Sequence, residues 1–157
     1  MLSKIEQWID ETNRHYESHR ISCDKFINEF DGFYTKSFLE NAFFVVVNTI
    51  PKPDFPGLRE MGLGDLIDMH VDGITYKNTY YILPHVVNNL RIHFHELVHV
   101  AQWEFLGASN FIERYIREIN HHSYEHAPLE EMAYGLDAHY SNGAEKIDIQ
   151  NYVSEKI

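Results

Sequence analysis

Between Leu90 and Gly107 the apolar residues Leu90, Phe94, Leu97, Val98, Ala101 and Phe105 recur at helical spacing and share one broad face. Gly107 is placed to end that helix. Within it lies His95-Glu96-Leu97-Val98-His99. Four residues along a helix is one turn plus about 40°, so His95 and His99 project from the same side. Glu96 sits about 100° around the axis. Imidazoles at the surface rarely have neighbours as apolar as Leu97 and Val98, so this helix is expected to be packed upon, and the other elements must cover it.

Those elements can be read from period and punctuation. Ile5, Trp8, Ile9, Thr12 and Tyr16 predict an amphipathic helix behind a Ser3 cap, with His15 and His19 one turn apart on it. Phe43 to Val47 is β-branched and aromatic and predicts a buried strand. The three prolines between Ile50 and Gly57 predict a loop. Leu66 to Val71 reads as a strand turning at Asp72-Gly73, and Ile74 to Tyr76 with Thr79 to Leu83 reads as a hairpin about Lys77-Asn78. Beyond Gly107, Phe111, Ile112, Tyr115, Ile116 and Ile119 mark a further helix. Its Glu113/Arg117 and Arg114/Glu118 pairs sit at four-residue spacing on what should be a solvated face. Pro128 suits the first turn of another helix, from about Ala127 to Tyr140, stopping at Ser141-Asn142-Gly143. The tail beyond Gly143 carries no clear signal. The order predicts an α+β fold: a small mixed or antiparallel sheet packed on the His95–His99 helix.

At 157 residues the chain is expected to form a single domain, residues 1–157, with a real core. Its 13 Lys+Arg against 24 Asp+Glu give a formal charge of −11, which argues against nucleic acid as a partner. A single cysteine, Cys23, rules out an internal disulfide and reads as an inert buried thiol. No leader is legible at the start, and the longest apolar run, Ala42 to Val47, is far short of the ~20 residues a membrane helix needs. The expectation is a soluble, cytoplasmic protein without a membrane partner. Oligomeric state cannot be read from the residues.

Two imidazoles one turn apart can grip one Zn²⁺ at about 2.0–2.1 Å. Glu96 is then placed to reach a water on the open side of the ion and to act as general base. A catalytic zinc usually takes a third protein ligand. The extended pattern H-E-x-x-H-x-x-G-x-x-H fails, because Gln102 and Phe105 occupy its last two fixed positions. The downstream candidates are Glu113, Glu118, His121, His122, Glu125, His126, Glu130, Glu131 and Asp137. His93 lies opposite His95 on the helix and is not expected at the metal; Trp103 and Phe105 are expected in the core.

His95 to Trp103, with Leu106-Gly107, Pro128-Leu129-Glu130-Glu131-Met132-Ala133-Tyr134 and the stretch Gly73 to Tyr81, resembles the minimal gluzincin-type zinc metallopeptidases. The resemblance covers residues 73–140; the first seventy residues match nothing in that family. It implies a third ligand on a second helix in a Pro-x-Glu-x-Glu-Ala pattern. Pro128 and Ala133 align that pattern so that Glu130 takes the ligand position, while its second Glu falls on Met132, a departure. It also implies a residue that braces a zinc-bound imidazole, Tyr134 or Asp137, and an edge strand, Thr79 to Leu83, that pairs with an extended peptide or protein substrate. Tyr124, His126, Tyr134 and His139 are available as oxyanion donors. The expected function is zinc-dependent peptide hydrolysis with Glu96 as base and His95, His99 and Glu130 as ligands. The alternative is a degenerate gluzincin fold that binds metal and a protein partner without catalysis.

Overall fold

The computed structural model describes every residue from Met1 to Ile157. Helix α1 (Leu2–His15) turns Ile5 and Ile9 inward. Met1 is its N-cap, so Ser3 lies within the first turn instead of capping it. His15 ends α1 while His19 belongs to the following short turn, so the pair does not share one helix face. Strand β1 (Ile21–Ser22) follows. Helix α2 (Lys36–Glu40) comes next, started by Thr35, whose hydroxyl accepts from Phe38 N at 3.1 Å, and then strand β2 (Phe43–Val46).

Residues 66–71 do not form the expected strand. Gly64–Asp68 is a short helix, α3, entered from a π-turn over Arg59–Leu63. Leu63, Leu66 and Ile67 recur at three and four, a helical spacing that puts all three on one apolar cavity. Gly62 permits the bend, with φ +88° and Asn120 Oδ1 where a side chain would stand. Lys52 closes the end of α3 by donating to the carbonyls of Leu66 (3.0 Å), Ile67 (3.4 Å) and Met69. Asp72-Gly73 therefore leads into a strand from a helix and makes no hairpin turn.

The hairpin at Lys77-Asn78 does form, between β3 (Gly73–Tyr76) and β4 (Thr79–Ile82), with Lys77 at φ +62°. The Lys77 ammonium ties it to α1 through Glu6 (2.8 Å) and Asp10 (2.7 Å). The sheet order is β1-β2-β4-β3, with β2 and β4 parallel and the other neighbours antiparallel, so the sheet is mixed. This places β4 in the centre, every residue buried. The expectation that Thr79 to Leu83 is the free edge is thus corrected: β4 has neighbours on both sides, and β3 is the edge strand beside α4.

Helix α4 (Leu90–Leu106) is capped by Asn89, whose side chain accepts from Arg91 N and Ile92 N, and ends at Gly107 with φ +79°. Helices α5 (Ala108–His122), α6 (Pro128–Ser141) and α7 (Ile149–Lys156) complete an α+β fold. Helix α7 has no counterpart in the sequence reading. It buries only Ile149 and Val153, one turn apart, behind an Asp148 cap.

Apolar clusters cover both faces of the sheet. Phe44, Tyr80 and Ile82 join Phe94, Leu97 and Val98 of α4, Leu136 of α6 and Ile149 of α7. Val45 and Tyr81 face the other way, toward Ile5 and Ile9 of α1 and Phe111 and Ile112 of α5. Trp103 is buried in this second cluster, but Phe105 is 55% exposed near the end of α4, contrary to the expected core position. No helix is long and apolar enough to cross a membrane.

Two polar contacts fix the helices that carry the site. Behind α4, His93 Nε2–H donates to Val87 O (2.8 Å) and its Nδ1 accepts from the Tyr80 hydroxyl (2.6 Å), whose oxygen accepts from the Cys23 thiol (3.5 Å). His93 is spent on this network, and burial pushes the Cys23 thiol up to about 12. Helix α6 has no side-chain cap of its own; Glu118 Oε1 of α5 accepts from Leu129 N at 2.8 Å while Arg114 pairs with Oε2 at 2.9 Å. Glu118 is therefore buried, not on a solvated face, because it serves as the missing cap. Replacing Tyr80 by Phe or Glu118 by Ala leaves a buried polar atom unpartnered. Each change should lower unfolding stability by about 1–3 kcal/mol, read as a lower urea midpoint at unchanged slope.

Candidate metal centre

Helix α4 turns His95 and His99 toward α6, and Glu130 stands on the first turn of α6 opposite them. All three side chains are buried, and their ligand atoms lie within 4.8 Å of one another. Glu130 Oε1 is 3.2 Å from His95 Nε2, and Glu130 Oε2 is 3.1 Å from His99 Nε2. One carboxylate thus spans both imidazoles.

The ring orientations follow from what holds the other nitrogens. His95 Nδ1 is 2.8 Å from Asp137 Oδ2, whose other oxygen receives Arg91 Nε at 2.6 Å. His99 Nδ1 is 2.8 Å from Gln102 Oε1; the Gln102 amide is fixed this way round because its nitrogen donates to Leu129 O at 3.0 Å. Both Nδ1 atoms therefore donate, and both Nε2 atoms present a lone pair in the neutral ring. Those lone pairs face the acceptor oxygens of Glu130. His99 Nε2 makes no hydrogen bond despite its 3.1 Å approach to the carboxylate. Lone pairs aimed at carboxylate oxygens in a buried space are satisfied by positive charge placed between them. The donor set, two imidazole nitrogens and one carboxylate, each imidazole braced by an acceptor, fits a small divalent cation.

With no cation between them, a proton on the rings meets the same need. Burial presses His95 toward its neutral form, but Asp137, Glu130 and Glu96 overturn this and carry it up to about 10. Burial also opposes the charge on His99, and Glu130 likewise raises it above the ordinary range. Burial pushes Glu130 upward, yet the two imidazoles hold it far below the usual carboxylate range. Three carboxylates, Glu96, Glu130 and Asp137, surround these rings, and the cluster draws in cationic charge.

Glu96 faces β3, beside the ligands. Its Oε1 accepts from the Thr75 hydroxyl at 2.8 Å, and its Oε2 is 3.9 Å from His95 Nε2. Burial raises it above the usual range, against the pull of the two imidazoles and Thr75. Gly73 makes this approach possible: a methyl there would stand 3.3 Å from the Glu96 carboxylate and 3.2 Å from Ile82 Cγ2. Leu83 N donates to Asp72 O at 3.1 Å, so by antiparallel alternation Gly73 and Thr75 turn their N–H and C=O groups away from β4.

Glu96, Gly73 and Tyr124 line two spaces at once. One is an open polar cleft of about 460 Å³, also lined by Arg91, His95, Glu125, Tyr134 and Asp137. The other is a narrower apolar cavity reaching His99 and Glu130. Of the oxyanion candidates, Tyr124 and Tyr134 line the cleft, and His126 and His139 do not. Tyr134, 45% exposed with its ring 4.5 Å from that of His95, is neither core nor brace; Asp137 is the brace. Of the other ligand candidates, Glu113, His121, His122, Glu125, His126 and Glu131 stay outside the cluster.

Sequence reasoning misses four contributors. Gln102 sits three residues after His99, close enough in angle to be suspected. Arg91 lies one turn before His95. Thr75 belongs to the Gly73–Tyr81 stretch, where nothing local marks it as a partner of Glu96. Tyr115, which donates to Glu130 Oε2 at 2.8 Å, comes from a separate helix and leaves no local trace. Compared with known proteins, the chain matches no family model, no curated protein and no solved structure.

Proposed function

We propose that the protein is a zinc-dependent peptidase of gluzincin type, with His95, His99 and Glu130 holding the ion. The observation that carries this reading is the buried Glu130 carboxylate set against two imidazoles whose outer nitrogens are already engaged. Two nitrogens and one carboxylate oxygen suit zinc, and a bound Zn²⁺ supplies Lewis-acid activation of water and of a carbonyl oxygen.

The remaining chemistry falls to the chain. Glu96 takes a proton from the attacking water while Thr75 holds its other oxygen. As the new C–O bond forms and the C–N bond breaks, Glu96 returns that proton to the leaving nitrogen. The outward groups of Gly73 and Thr75 offer an extended substrate backbone a strand to pair with. The Tyr124 and Tyr134 phenols, both kept neutral by partial or deep burial, are the donors available to a developing oxyanion. A structural metal site has no use for a further buried carboxylate beside its ligands, and this favours the enzyme reading over a degenerate binding module.

Protein purified without added metal should carry about one equivalent of zinc by elemental analysis. Glu130→Gln should lose it, and Glu131→Gln, outside the cluster, should keep it. Metal at about a thousandfold over its Kd should stabilise the wild type by about 4 kcal/mol, and Glu130→Gln should show no such gain. Glu96→Gln should retain the metal and lose peptide hydrolysis by about 10²–10⁴-fold or more. Equal cleavage by wild type and Glu96→Gln would exclude the mechanism.

A further inference from the structure

Outside the centre, one further set of imidazole and carboxylate groups is brought together from separate parts of the chain. Asp72, just before β3, stands between two rings: its Oδ1 is 2.9 Å from His70 Nε2 and 3.4 Å from His85 Nε2. The backbone holds these segments side by side. Asp72 O accepts from Leu83 N at 3.1 Å, and the short helical turn Pro84–Val86 then presents His85. The side chains themselves are open to solvent, 75% for His70, 64% for His85 and 41% for Asp72, so they can turn on a fixed base. His70 and Asp72 also line the polar cleft, together with His95 and Glu96.

We propose that His70, Asp72 and His85 form a second divalent metal site at the rim of the cleft, weaker than the centre and selective for zinc over calcium and magnesium. The inference stands apart from the peptidase reading. Three observations carry it. Ligand atoms bound to one zinc at about 2.0–2.1 Å, at angles of about 90–110°, lie about 2.9–3.4 Å apart, and those are the two separations found around Asp72 Oδ1. Two imidazoles with one carboxylate repeat the donor set of the centre, which suits zinc better than the oxygen-seeking ions. Glu96, Glu125 and Asp137 line the same cleft against the single cation Arg91, so the field at its rim favours positive charge. The site is the weaker one because it is not gathered in advance. At the centre the ligand atoms are buried and already lie within 4.8 Å of one another, with Asp137 and Gln102 bracing the rings; at the rim two solvent-exposed rings meet only through Asp72.

The test uses untagged protein loaded with one equivalent of zinc and titrated calorimetrically with more zinc. One further equivalent should bind, at least about tenfold more weakly than the first. Asp72→Asn and His85→Gln each remove one ligand at an exposed position. Each should weaken the second binding by about tenfold or more and leave the first unchanged. Histidine ring NMR signals give a second readout: those of His70 and His85 should shift together on the second equivalent, and those of His121 and His122 should not. Calcium or magnesium in about tenfold excess should leave the His70 and His85 signals in place. In Glu130→Gln, which disables the centre, the weaker equivalent should remain. A single equivalent in the wild type, a second equivalent undiminished in both rim variants, or its loss in Glu130→Gln overturns the proposal. None of these readouts depends on turnover, so a failure here leaves the peptidase reading standing, and a centre that cleaves no peptide leaves the rim site standing.

Discussion

The structure is organised around one buried carboxylate. Taking Glu130 out of water costs several kcal/mol unless positive charge is held within reach. The fold supplies that reach by setting α6 against the one turn of α4 that bears two imidazoles. Each partner of the trio is secured by contacts of its own: Asp137 and Arg91 orient His95, Gln102 and the Leu129 carbonyl orient His99, and Tyr115 of α5 donates to Glu130. Helix α6 itself starts where Glu118 of α5 accepts its first backbone N–H, that of Leu129, since Pro128 has none. Loosening any of these contacts would leave the Glu130 charge less well compensated, so folding and site geometry are one constraint here.

Helix α4 meets that constraint because it has no solvent face over its middle. Every residue from His93 to Trp103 is buried. His93, Phe94, Leu97 and Val98 face the sheet and the helices behind it, His95, His99 and Gln102 face α6, and Glu96 and Trp103 face β3 and the cavity. A helix buried all round carries little amphipathic asymmetry, which is why its apolar stripe, read alone, places Phe105 inside and does not tell buried polar residues from exposed ones. The polar groups are admitted because most find a partner; His99 Nε2 and the Trp103 indole N–H are the buried atoms left without one.

Locality decides how much of this the residues disclose by themselves. The H-E-x-x-H spacing is local and marks His95, Glu96 and His99 in the bare chain, whereas Glu130 is singled out among several candidates only by the resemblance that aligns Pro128 and Ala133. The spans of α4, α5 and α6 follow from period and from Gly107 and Pro128. The failures are non-local or marginal. The order of β3 and β4 in the sheet depends on β2 inserting beside β4, a parallel pairing between segments more than thirty residues apart. Helix α3 is held by Lys52, twelve residues upstream of its first turn. Helix α7 buries two side chains and has little to announce it. The first seventy residues, silent as to chemistry, build half the sheet and, through α1 and the α3 segment, much of the lining of the apolar cavity.

That cavity has a thermodynamic meaning. At about 24 cal/mol per Å³, unfilled apolar space of about 90 Å³ costs the folded state about 2 kcal/mol, a sizeable share of the stability of a domain of this length. Larger side chains at Ile116 or Ile67 would recover part of that cost, and nothing in the backbone there forbids them: neither position lies at a positive φ. It follows that Ile116→Trp and Ile67→Trp should unfold at higher temperature than the wild type, read by thermal denaturation.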